Sequence, residues 1–213
     1  MTADGDDPRH AQKPGQPQYF AEDPGVASDP ITIDVTLLDT AFTLQTDRGV
    51  FARGQLDAGT SLLLRTDLPL SSTGDVLDIG CGAGPIALAM ARRAPDATVW
   101  AIDVNERARS LCAYNAERNG IANIRVCAPD DVPTDLRFDT IWSNPPIRIG
   151  KTELHALLLR WLGRLTPVGS AALVVQKHLG ADSLQTWLIQ HDLPTERIAS
   201  KAGYRVLVTH HSP

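Results

Sequence analysis

From Ile31 the chain alternates apolar and polar residues through Ile31-Thr-Ile-Asp-Val-Thr-Leu37, and Ala41-Phe-Thr-Leu-Gln-Thr46 nearly repeats the pattern. With Asp39-Thr40 between them, these period-two segments predict a β-hairpin. Residues 51–64 follow, with Asp57-Ala-Gly-Thr60 as turn and helix start and Leu62-Leu-Leu64 as a buried face. From Asp75 onward the pattern changes. Short apolar runs at Val76–Ile79, Thr98–Ile102, Ile124–Cys127, Phe138–Trp142 and Ala171–Val175 read as strands. Between them, apolar residues recur at helical spacing over Pro85–Arg93, Glu106–Asn119 (closed by Gly120), Lys151–Leu165 and Ala181–Gln190. Ile198–Ser200 and Tyr204–Thr209 make a closing pair around Gly203. Repeated β-α units predict an α/β fold whose largely parallel sheet is covered on both faces, and the closing pair predicts an antiparallel edge.

Residues 1–25 break with this patterning. They are rich in Pro, Gly, Asp and Gln and offer almost nothing to bury, which predicts a disordered leader ahead of one domain over 26–213. No apolar run approaches the ~20 residues of a membrane span. The first residues lack a cationic stretch followed by an apolar one, so no secretory signal is expected. Three cysteines, Cys81, Cys112 and Cys127, lie in apolar segments without a Cys-x-x-Cys pair. That usage favours reduced thiols in the cytoplasm over disulfides or zinc.

Charge changes the picture more than composition does. The net charge is -5, yet residues 1–30 hold six acids against two bases, while the chain from Asn144 onward holds eight bases against four acids. A basic half can meet phosphate even in an acidic protein, and it can equally be an ordinary mixed-charge helix surface.

Two short segments carry the candidate chemistry. The first is Val76-Leu-Asp-Ile-Gly-Cys-Gly-Ala-Gly84, a glycine loop between strand and helix. In such a sheet, ligands gather at the carboxyl ends of the strands where the chain order reverses, and Gly80, Gly82 and Gly84 sit there. A dinucleotide fingerprint would place its third glycine at position 85, where this chain has Pro85. The G-x-G-x-G spacing therefore fits S-adenosylmethionine better than NAD, with the helix amino terminus facing the methionine carboxylate. Asp103, about twenty residues beyond the loop, is placed to accept both ribose hydroxyls. Asp130 or Asp131 is placed to reach the adenine amine, and Asp78 to orient the loop or meet the methionine ammonium. Each of these aspartates also suits a turn or a helix cap.

The second segment is Ser143-Asn-Pro-Pro146. An exocyclic base amine is a poor nucleophile because its lone pair is delocalised into the ring. A site that accepts both amine hydrogens can hold the nitrogen towards a methyl donor. The Asn144 side-chain oxygen is one such acceptor and the Pro145 carbonyl a second, on a backbone made rigid by Pro145 and Pro146. Holding reactants in this way contributes ~7–11 kcal/mol to barrier lowering.

With these residues in view, the chain resembles the ribosomal RNA small-subunit methyltransferase C family. The resemblance rests on Asn144-Pro-Pro-Ile-Arg-Ile-Gly-Lys151, Asp78-Ile-Gly-Cys-Gly-Ala-Gly-Pro85, Phe51-x-x-x-x-Leu-Asp-x-Gly-Thr60 and Gly203-Tyr-Arg-Val-Leu207. It covers the chain from about Tyr19 to His211. It implies a Rossmann-like class I methyltransferase fold with a mostly parallel seven-stranded sheet, an antiparallel edge strand and a small amino-terminal β-hairpin. It also implies S-adenosylmethionine as donor, guanine N2 in small-subunit rRNA as acceptor, and rRNA or the small ribosomal subunit as partner. Many bacterial members carry two related halves, and this chain is a single copy. Asn-Pro-Pro sites commonly continue with Tyr or Phe, which stacks on the target base. Here the residue is Ile147, leaving Phe51 as a candidate ring, while Arg148 and Lys151 are candidates for phosphate or sugar. Ile147 and the net acidic charge leave other acceptors open: a tRNA or DNA base, a protein glutamine or a small molecule. A non-catalytic, cofactor-holding RNA-assembly protein is a further reading, and the intact Asn144-Pro-Pro speaks against it.

Overall fold

The computed structural model describes residues 25–210. The expected leader over 1–25 therefore lies almost wholly outside the described residues. Strands β1 (Ile31–Thr36) and β2 (Ala41–Thr46) form the antiparallel hairpin, with Ile31 opposite Thr46 and Thr36 opposite Ala41. Helix α1 (Ala58–Arg65) follows, and its amino terminus is capped by Asp57, whose side chain accepts from Thr60 N.

The alternating part of the chain then builds one sheet. Its elements are β3 (Thr73–Ile79), α2 (Pro85–Arg93), β4 (Asp96–Ile102), α3 (Glu106–Arg118), β5 (Ile124–Cys127), β6 (Phe138–Ser143), α4 (Lys151–Leu162), β7 (Leu165–Gln176), α5 (Ala181–Ile189), β8 (Thr195–Lys201) and β9 (Tyr204–His210). The strand order is β5-β4-β3-β6-β7-β9-β8. Neighbours from β5 to β7 are parallel, whereas β9 runs antiparallel to both β7 and β8. The antiparallel edge is thus the β8–β9 pair, with β9 inserted beside β7.

Each strand sends alternate residues to opposite faces, so the sheet separates two cores. Val76, Val99 and Val174 pack under α1, α2 and α3 together with hairpin residues Phe42 and Leu44. Leu77, Ile141 and Leu173 pack under α4 and α5, around Phe138 and Trp161. The hairpin is pinned to α3 by side chains that imitate a neighbouring strand. Asn115 accepts from Gln45 N and donates to Gln45 O, both at 2.8 Å. One turn later Asn119 does the same for Thr43, at 3.0 and 2.8 Å. The exposed edge of β2 is thereby satisfied, and residues 47–57 are held beside the carboxyl ends of the sheet strands.

Several boundaries differ from expectation, among them the starts of β3 at Thr73 and β4 at Asp96. β7 begins at Leu165 rather than Ala171, because Phe138 pairs with Leu165 before a register shift that absorbs the Pro167–Gly169 stretch. Correspondingly, α4 ends at Leu162 rather than Leu165. β8 extends back to Thr195, as an edge strand whose outward Glu196 and Arg197 conceal the alternation.

Candidate active site

The chain order reverses between β3 and β6, and a cleft of about 1130 Å³ opens at the carboxyl ends of β3, β4 and β6. That volume slightly exceeds the ~300–1000 Å³ usual for a small-ligand pocket, leaving room for a donor beside a planar base. Of the residues singled out from sequence, Phe51, Gly80, Gly82, Asp103, Asn144, Pro145, Pro146, Ile147 and Arg148 all line it. Asp78, Gly84, Asp130, Asp131 and Lys151 do not.

The glycine loop is built to leave space. A Cβ on Gly80 would have nothing nearer than Pro146 Cδ at 4.0 Å, and one on Gly82 nothing nearer than Val50 Cγ1 at 3.9 Å. Side chains there would project into the cleft. Gly84 is different. It caps α2 with φ +93°, and a Cβ on it would sit 2.7 Å from Cys112 Sγ, so it serves the packing of α2 on α3. Pro85 opens α2, where its missing N–H costs nothing.

Asp103, just past β4, ties this loop down. Its Oδ2 accepts the Gly82 N–H at 3.0 Å and its Oδ1 the Asn105 N–H at 2.9 Å. Burial pushes this carboxyl above its ordinary value, opposed by those two hydrogen bonds and by the Arg109 charge. Each oxygen keeps a lone pair for a further donor, as a ribose diol would supply.

Asp78 is fully buried beneath the loop, where its Oδ2 accepts the Ala87 N–H at 3.0 Å. This bond orients the start of α2, directly after the glycine loop. Its Oδ1 has no partner among the described residues, and burial pushes the carboxyl up to about 8, helped by the nearby negative charge of Asp103. Asp130 points away from the cleft and pairs with Arg160 on α4 at 2.8 Å, while Asp131 is exposed on the same short turn.

At the end of β6, both amide hydrogens of Asn144 are engaged. Nδ2 donates to Asp57 Oδ2 at 2.9 Å and to Thr60 Oγ1 at 3.0 Å. The carboxamide oxygen is therefore the end left to accept. The Pro145 carbonyl accepts the Ile147 N–H at 2.8 Å in a tight turn and retains one lone pair. Ile147 is half-buried against the α4 core, whereas Phe51 stands 52% exposed on the rim. Tyr204 on β9 closes the group, its hydroxyl 3.4 Å from Asp57 Oδ1. Asp57, Thr60 and Tyr204 are site residues that the sequence reading did not single out individually. Beyond the reading of Asp57-Ala-Gly-Thr60 as turn and helix start, their signal was membership in the two outlying matched runs, around Leu56–Thr60 and Gly203–Leu207.

A reversing parallel sheet, a loop of open glycines, a diol-ready carboxylate and an oriented Asn-Pro-Pro define a Rossmann-like methyltransferase domain. The chain belongs to the methyltransferase small domain family, whose model matches residues 41–208. The Bacillus subtilis (strain 168) "Uncharacterized protein YbxB" is 36% identical over 192 residues, which is 89% of this chain and 96% of that protein. The ribosomal RNA small subunit methyltransferase C of Shewanella halifaxensis is 36% identical over 136 residues, 62% of this chain but 39% of that one. Among solved structures, the T. thermophilus 16S rRNA N2 G1207 methyltransferase in complex with AdoMet and guanosine superposes with a TM-score of 0.71 at 21% identity, over 85% of this chain and 50% of that chain. The chain thus spans half or less of these two methyltransferases and nearly all of the Bacillus relative.

Proposed function

We propose that this protein is an S-adenosylmethionine-dependent N-methyltransferase that modifies the N2 amine of a guanine in small-subunit rRNA. The observation that carries the proposal is the meeting of two half-sites in one cleft, Asp103 with the open glycine loop on one side and Asn144-Pro-Pro on the other. When bound, S-adenosylmethionine would supply an electrophilic sulfonium methyl: the N–C bond would form as the S–C bond breaks, with adenosylhomocysteine as the leaving group and the extra proton on nitrogen passing to water.

The chain's own residues bind and orient. Asp103 takes the ribose hydroxyls, and the amino terminus of α2 faces the donor carboxylate. Gly80 and Gly82 admit the adenosyl group. Asn144 Oδ1 and the free lone pair of the Pro145 carbonyl accept the two amine hydrogens, which aims the nitrogen lone pair at the methyl group. No strong base is required, because the proton leaves after the bond forms. Phe51, exposed on the rim, offers a ring to the flipped base, and Ile147 gives the other face apolar contact. Arg148, exposed at the mouth, meets phosphate or sugar, with Lys151 one turn further along on α4.

The names of the matched relatives and the basic carboxyl-terminal half support rRNA as the acceptor. The test is nucleoside analysis of small-subunit rRNA from cells with and without the gene. Loss of N2-methylguanosine at one site, restored by the wild-type gene and not by Asn144→Ala, is the expected result. Identical nucleoside profiles would refute it.

A further inference from the structure

We infer that Asp57 is a positioning residue for methyl transfer, fixing which end of the Asn144 carboxamide meets the acceptor amine. This rests on the N-methyltransferase reading above and adds to it the group that makes Asn144 competent. A carboxamide has two faces of opposite character, an oxygen that accepts and an NH2 that donates. Turning it over about its last bond exchanges them with little change in shape. In the turned-over state an N–H would confront the N–H of the acceptor amine, and the grip would be lost.

Asn144 has two neighbours that bear on this choice, and they are not equivalent. Thr60 Oγ1, at 3.0 Å, is a hydroxyl that can accept or donate, so it tolerates either state. Asp57 Oδ2, at 2.9 Å, accepts only. It bonds Nδ2 and repels Oδ1. The Asp57 carboxylate is therefore the group that selects the productive orientation, by a charge-assisted bond across the mouth of the cleft.

Asp57 is itself held from two directions. Its Oδ2 also accepts the Thr60 N–H at 3.0 Å as the cap of α1. Its Oδ1 faces the Tyr204 hydroxyl, whose pKa is raised by burial and by the Asp57 charge, so the hydroxyl stays a donor. Tyr204 can approach only because residue 59 is glycine, where a Cβ would lie 2.7 Å from two ring carbons. A helix cap by itself would explain the bond to Thr60 N. It would not explain why the same carboxylate is met by the end of β6 and the start of β9.

The cap and the positioning role separate in Asp57→Ser, since serine caps a helix about as well as aspartate but is shorter and uncharged. We expect Asp57→Ser to keep the melting temperature and the Kd for S-adenosylmethionine, while kcat falls ~10- to 100-fold. Asp57→Asn, which can accept from Asn144 but can also turn over and donate to it, should recover only part of that loss. In an Asn144→Ala background, Asp57→Ser should change the single-turnover rate less than ~2-fold, because the two residues act as a unit. Independently of turnover, the Asn144 side-chain NH2 resonances should exchange slowly with solvent in the wild type and quickly in Asp57→Ser. Wild-type turnover in Asp57→Ser, or equal rate losses in both backgrounds, would overturn the inference. A wild type that methylates no acceptor would instead refute the functional reading, and the exchange measurement would still decide whether Asp57 orients Asn144.

Discussion

The Asp103 carboxylate accepts the backbone N–H of Gly82 at 3.0 Å, so the acid at the end of β4 and the glycine loop after β3 form one unit. Removing the acid therefore does two things. It frees the glycine loop from its tie and, on the proposed reading, deletes the acceptors for the ribose hydroxyls. Asp103→Ala should weaken S-adenosylmethionine binding at least ~100-fold, since each charge-assisted bond contributes ~1.5–3 kcal/mol. Asp103→Asn, which still offers an acceptor to Gly82, should fall between. Titration calorimetry decides this, and an unchanged Kd in Asp103→Ala would move the ribose elsewhere.

Asp78 makes stability depend on pH in an unusual direction. Burial pushes its carboxyl up to about 8, whereas an unfolded aspartate ionises near ~4. The folded state therefore holds a proton that the unfolded chain releases. The contribution is full below about pH 4 and is lost as pH rises through about 8. Asp78→Asn keeps an acceptor for Ala87 and cannot ionise, so it should flatten the decline in Tm between about pH 4 and about pH 8. Parallel Tm profiles for wild type and variant would contradict the assignment.

The hairpin reaches the site through Asn115. Besides its two bonds to Gln45, Asn115 donates to Ala83 O at 2.8 Å, linking β2, α3 and the glycine loop. Asn115→Ala leaves these buried backbone groups without partners and should cost on the order of 2–4 kcal/mol. Cofactor affinity should fall with it. Urea denaturation measures the first effect, and a loss below ~0.5 kcal/mol would show that water replaces the asparagine.

The roles proposed for Phe51 and Arg148 can be tested apart from catalysis. Phe51 is 52% exposed, so Phe51→Ala should leave Tm nearly unchanged. Its removal as a stacking platform should raise KM for RNA about 5- to 150-fold, the range expected for ~1–3 kcal/mol of stacking. Arg148→Glu should weaken RNA binding and lower the salt slope by ~0.7–0.9 for each phosphate that is no longer neutralised. Unchanged KM in both variants would place the RNA on another face.

Much of this architecture was legible in the sequence because local and global signals agreed. The alternation in Ile31–Leu37 and Ala41–Thr46 located both hairpin strands, with β1 ending one residue short at Thr36, and Pro85 marked the start of α2. The amino-terminal part of β7 was not legible, since Pro167 and Gly169 read as breakers while the neighbouring strand supplied the pairing. Within the site, Asp103 and Asn144 could be found because each ends a strand in a recognisable motif. The partnership of Asn144 with Asp57 could not, because 87 positions separate the two and the nearer reading of Asp57, a helix cap, is also correct. Asp130 followed the rule for a residue after the third strand, yet its position on an outward turn delivers it to Arg160 instead.

The most direct test offers purified protein labelled S-adenosylmethionine together with small ribosomal subunits, large subunits, total tRNA, DNA and cell protein in parallel reactions. Label should enter small-subunit rRNA alone and, after digestion to nucleosides, be recovered as N2-methylguanosine. It should fall at least ~100-fold with Asn144→Ala, whose cofactor affinity should stay unchanged. Label in protein, tRNA, DNA or small molecules, with none in small-subunit rRNA, would contradict the account.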